Sequence, residues 1–81
     1  MNKKLLVKTI REDAGIDEKI SDDLLSSRLP MSIAMNIEDI YVANDFEVDP
    51  PKSFCRQLYD LICAIVYNEV KRELKKGILK T

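Results

Sequence analysis

Apolar residues recur along this chain at helical intervals in four stretches. From Lys3 to about Asp13, Leu5, Leu6, Thr9 and Ile10 share one face of a helical wheel, with Lys and Arg on the other. Gly15 is placed to stop that helix. A second stretch begins at Ser21, an N-cap type followed by Asp22 and Asp23, which suit the positive end of a helix dipole. Ile20, Leu24 and Leu25 are predicted to point inward, and Pro30 ends the helix because the residue before a proline is pushed out of the α region. The third stretch runs from Met31 to about Asp45. Ile33, Ile37, Ile40 and Tyr41 hold helical spacing, and Met35 and Val42 widen the stripe. A short irregular piece, Phe46 to Asp49, follows.

The fourth stretch opens on Asp49-Pro50, an aspartate cap with proline at the first helical position, and runs to Lys76 before Gly77, with Ile78 able to fold back on Leu74. About 26 residues make a helix of roughly 39 Å. A compact chain of this size has a radius of gyration of about 12 Å, so one end of the helix should project or the helix should break. The basic end, Lys71 to Lys76, is the expected projection. The middle is apolar nearly all round: between Leu58 and Tyr67 only Asp60 is charged. A helix of that kind is either central or covered by a partner. The expected fold is all-α: a small four-helix bundle with a long C-terminal helix, one domain over residues 1–81, with 77–81 as a short tail.

Composition supports that expectation. Hydrophobic residues are 46% and charged residues 33% of the 81, with only 2 Gly and 3 Pro. A core can form, and there is little material for hairpins or long loops. No stretch reaches the ~20 apolar residues of a membrane span. Lys8 and Arg11 interrupt the apolar run after Lys3 and Lys4, so no signal peptide is expected and the expected location is cytoplasmic. Cys55 and Cys63 lie eight residues apart on one predicted helix, about 12 Å along its axis and too far for a disulfide. Two reduced core thiols are expected.

The net charge of −1 hides an asymmetry. Residues 1–11 carry Lys3, Lys4, Lys8 and Arg11 without an acid, and residues 12–49 carry eleven acids against Lys19 and Arg28. Residues 70–81 carry Lys71, Arg72, Lys75, Lys76 and Lys80 against Glu73. Either packed helices complement one another internally, or an acidic face is offered to a basic partner.

The chain has no histidine. That removes Ser–His and Cys–His nucleophilic catalysis and, with two cysteines, leaves no zinc ligand set; no metal site is expected. The only glycines, Gly15 and Gly77, form no phosphate loop. Adjacent acids, Asp22–Asp23 and Glu38–Asp39, diverge on a helix rather than converge on a substrate. No enzyme is expected. An isoelectric point of 5.4 and an acidic middle argue against nucleic acid.

The order of features also resembles the acyl carrier protein family of four-helix bundles. Val7 to Ile20 is similar to that family's first helix and following loop. Ser32-Ile33-Ala34-Met35, then Ile37 to Val48, looks like its acidic second long helix and exit, and Leu58 to Ile62 like the start of its last helix. The resemblance implies a phosphopantetheine arm on Ser32, which would deliver an acyl thioester to partner enzymes. The family's Asp-Ser-Leu motif is Met31-Ser32-Ile33 here.

Two functions fit these patterns. One is a non-enzymatic interaction module without cofactor, a small regulator or inhibitor of the size phages and mobile elements encode. It would bind another protein, or a second copy as a homo-oligomer, through an exposed part of the long helix: Tyr59, Ile62, Val66, Tyr67 and Val70. The alternative is a carrier-like protein using 4'-phosphopantetheine on Ser32.

Overall fold

The computed structural model describes residues 2–17, 20–44 and 50–77. They form four helices and no strand: α1 (Lys3–Ala14), α2 (Asp22–Arg28), α3 (Met31–Ala43) and α4 (Lys52–Lys75). The local chemistry at each end explains the boundaries. The Asn2 side chain caps α1 by accepting from the Lys4 and Leu5 amides. Gly15, at φ 67°, ends it. The Gly15 amide donates to Glu12 O at 3.0 Å and the Ile16 amide to Arg11 O at 3.3 Å, the paired bonds of a Schellman stop that only a residue tolerant of left-handed backbone makes without strain. Ser21 caps α2 through Oγ, which accepts from the Leu24 amide at 3.1 Å. Leu29 is extended (φ −72°, ψ 119°), as its place before Pro30 requires.

The start of α4 differs from the expected one. Pro51, not Asp49, is the N-cap, and the helix begins at Lys52. Pro50 precedes a second proline and is itself excluded from the helical region. Asp49, the irregular piece at 46–48 and the fold-back of Ile78 lie outside the described residues. The C-terminal stop is where the sequence puts it, with Gly77 at φ 73°.

Helix α1 is the hub. It packs against α2, α3 and α4, whereas α3 leans mainly on α1. Its buried side chains are Leu6, Val7, Ile10 and Ala14, so the inward face is rotated from the predicted one: Val7 is buried and Leu5 is exposed. Along α4 the buried stripe is Cys55, Leu58, Tyr59, Ile62 and Val66, flanked by the partly buried Phe54, Cys63, Ile65 and Val70. Leu61, Ala64, Tyr67 and Leu74 face outward. The long helix is therefore neither central nor wholly covered; it is one wall of the bundle. It runs unbroken for 24 residues, about 36 Å, in a molecule measuring 44 × 25 × 18 Å.

The charge asymmetry is consumed in part between packed helices. Arg11 on α1 grips Asp22 on α2 with two bonds, Nε to Oδ1 at 3.0 Å and a terminal guanidinium nitrogen to Oδ2 at 2.8 Å. The two side chains are only 16% and 11% exposed. Lys3 Nζ donates to Leu29 O at 2.7 Å, Lys4 pairs with Asp23 at the surface, and Arg28 meets Glu73 of α4 at 2.9 Å. The Tyr41 hydroxyl on α3 donates to Asp13 of α1, and its ring stacks on Phe54 of α4 with centroids 6.3 Å apart.

The Arg11 guanidinium holds the Asp22 carboxyl below its ordinary 3.8, against the opposing effect of burial. A carboxyl with a lowered folded-state pKa contributes stability that is complete above its ordinary value and disappears as pH falls through the lower, folded value. Asp22→Asn should cost about 2–3 kcal/mol at neutral pH, because it leaves Arg11 without its nearly buried counter-charge. Chemical denaturation of both proteins from pH 7 down to pH 2 should show that difference shrinking below pH 3.8.

Candidate interaction surface

Three of the five residues expected on an exposed part of the long helix belong to the core. Tyr59, Ile62 and Val66 are 6%, 0% and 4% exposed. The reason is register. They follow one another at three and four residues, the spacing of a single stripe, and that stripe faces the buried side of α1. Val70 is partly buried at its edge. Only Tyr67 stands in solvent, at 64% exposure, with the Lys71 ammonium 5.4 Å from its ring centroid.

The exposed apolar surface is concentrated elsewhere, on α3. Nine of its 13 residues are apolar, yet only Ala34 and Ile37 are buried. Ile33 and Tyr41 pack partly against the core. Met31, Met35 and Val42 do not, and Met35 and Val42 are 54% and 65% exposed. At about 100° per residue these three fall within about 40° of one another, so they form one stripe, with Glu38 at its edge. Leu5 of α1 is exposed across a shallow groove of about 360 Å³ that it lines together with Leu6, Thr9, Glu38 and Tyr41. Ile40 is exposed on the other flank of α3.

A second exposed region lies between the α1–α2 connection and α4. Ile20 and Leu24, expected inside, are exposed. Ile20 shares a cleft of about 580 Å³ with Tyr59, Cys63, Arg56 and Asp60. Burial pushes the Cys63 thiol above its usual range, outweighing its hydrogen bond to Tyr59, and burial raises the Tyr59 hydroxyl as well. A thiol shifted in that direction is protonated at neutral pH and a poor nucleophile. Cys55 is buried, its thiol also raised by burial, and both cysteines are free.

Ser32 is exposed, the second residue of α3 and two beyond the N-cap Pro30. No group of three or more His, Cys, Asp or Glu side chains capable of holding a metal occurs among the described residues. No helix among them is long and apolar enough to cross a membrane.

No protein-family model matches the chain, and no curated protein or solved structure gives a match to it.

The two classes of α4 residue should separate in a stability measurement. Ile62→Ala opens a cavity at a fully buried site and should cost about 3–4 kcal/mol. Tyr67→Ala should change stability by no more than about 0.5 kcal/mol. Equilibrium urea unfolding of the three proteins reads both, and equal losses would mean that Tyr67 is not a surface residue.

Proposed function

We propose that this chain is a non-enzymatic interaction module, a small regulator that acts by binding another protein, or a second copy of itself, through α3. The observation that carries the proposal is the exposure of Met35 and Val42 on a helix that is apolar over most of its circumference. Covering such side chains contributes about 1 kcal/mol or more each, and exposed apolar stripes of this kind mark docking sites. Methionine suits the role because its unbranched thioether adapts to a partner's contour. An amphipathic helix seated in a partner's groove is the mode the geometry favours. The free cysteines suit a reducing, cytoplasmic setting.

A second proposal rests on Ser32. Its exposure in the first turn of α3 leaves its hydroxyl accessible to a modifying enzyme, as the carrier-protein resemblance requires.

Both proposals make clear demands. In affinity capture from host lysate, the wild-type chain should retain a defined protein that Met35→Glu/Val42→Glu loses, with both baits equally folded by circular dichroism. Equal retention by the two baits would remove α3 as the docking face. For the second proposal, incubation with coenzyme A and a phosphopantetheinyl transferase should add one phosphopantetheine to the intact mass. The gain should vanish in Ser32→Ala; no gain, or one that survives the substitution, overturns it.

A further inference from the structure

The exposed stripes of α3 and α4 have matching spacing and opposite charge. On α3, Met35, Glu38 and Val42 follow at intervals of three and four. On α4, read from the C-terminal end backwards, Leu74, Lys71 and Tyr67 also follow at three and four. Met35, Val42, Leu74 and Tyr67 are all exposed, as is Lys71, and Glu38 is partly so. When two helices pack antiparallel, residues at such intervals meet as rungs. Laying one stripe on the other sets Met35 against Leu74, Glu38 against Lys71 and Val42 against Tyr67. The single acid of one stripe then falls opposite the single base of the other. Asp39 beside Glu38, and Lys75 beyond Lys71, are exposed and extend the same signs.

Within one molecule the two stripes cannot meet. Phe54 is the α4 residue that stacks on Tyr41 of α3. Tyr67 lies 13 residues further on, roughly 140° around the helix from Phe54. The α4 stripe therefore turns away from its own α3.

We propose that the occupant of the α3 stripe is a second copy of this chain, with α3 of one molecule packed antiparallel on the C-terminal half of α4 of another and Glu38–Lys71 setting the register. This rests on α3 being a docking face and names what docks there. The apolar rungs supply the attraction. The charge pair disfavours α3 against α3, where Glu38 would meet its own kind.

The test is sedimentation equilibrium from micromolar to millimolar protein, on wild type and two charge-reversal variants. Wild type should show a weight-average mass rising above 9.3 kDa with concentration. Glu38→Lys alone and Lys71→Glu alone place like charges in every contact, and each should weaken association by about tenfold or more. An equimolar mixture of the two variants restores an opposite pair at each contact between unlike molecules, so it should associate to within about threefold of wild type. A folding defect in either variant could not produce that recovery. A wild-type chain that stays monomeric throughout overturns the proposal, as does association indifferent to both reversals or a mixture that fails to recover. Monomeric behaviour alongside retention of another protein that depends on Met35 and Val42 would leave α3 as a docking face with a different occupant; loss of both would remove the face itself.

Discussion

Helix α1 is twelve residues long and is packed against all three other helices. An isolated helix of that length is marginal in water, and it persists because Leu6, Val7, Ile10 and Ala14 are taken up by its neighbours. A fully buried Leu, Val or Ile contributes about 1.5–3 kcal/mol relative to an exposed one, and an 81-residue domain has a total stability of only about 5–10 kcal/mol. The stripe on α1 is therefore comparable with the whole margin. The positions of the other helices follow from it. The inward stripe of α4 lies along α1. On one flank α2 is fastened by the two-bond grip of Arg11 on Asp22. On the other flank α3 is held at its far end by Tyr41, which joins Asp13 of α1 and Phe54 of α4.

A short hub has limited surface, and α3 is the helix left with too little cover. It is the most apolar of the four for its length, but Ala34 and Ile37 alone are buried on it. A helix apolar nearly all round needs either a central position or a partner. Among the described residues that apolar, thinly covered pattern is found on α3, where Met35 and Val42 are exposed, and not on α4. On α4, the outward Arg56, Gln57, Asp60 and Asn68 balance the inward stripe, and its exposed Leu61, Tyr67 and Leu74 are spread over 24 residues.

What the sequence made legible were the features fixed by local covalent chemistry. Gly15 and Gly77 are stops because only glycine adopts positive φ at no cost. Ser21 caps because its hydroxyl reaches an amide three residues on, and Pro30 separates two helices because of its ring. What was not legible was rotation about each helix axis. Leu5 and Val7 are both apolar, and either fits a helical stripe with Leu6 and Ile10; only the positions of the neighbouring helices decide that Val7 is inside. The same holds for Tyr59, Ile62 and Val66 against Tyr67: composition ranks them alike, and the register of one helix on another separates them. Leu24 is exposed because α2 is only seven residues long and turns Asp22, Leu25 and Ser26 inward, so the Arg11–Asp22 pair occupies space that an apolar side chain would otherwise fill; Ile20 lies before the helix, in the exposed connection.

The distribution of charge has the same logic at two scales. Inside the molecule the basic N-terminal helix meets acids of α2, and Arg28 meets Glu73 of α4; these pairs fix which faces of the helices turn together. The charges outside those pairs include Glu38 and Asp39 on α3 and Lys71 and Lys75 on α4, and they border the exposed apolar stripes. An exposed ion pair contributes at most about 1 kcal/mol, so such charges add little affinity to any contact these stripes make. Their effect is on selection. An apolar stripe free of charge would stick to its own image in any register, whereas one bearing a single acid penalises self-pairing and favours a stripe bearing a base at the matching interval. The near-neutral sum of −1 over the chain thus conceals two opposite local fields, and for any contact made by stripes like these their separation on the surface matters more than their total.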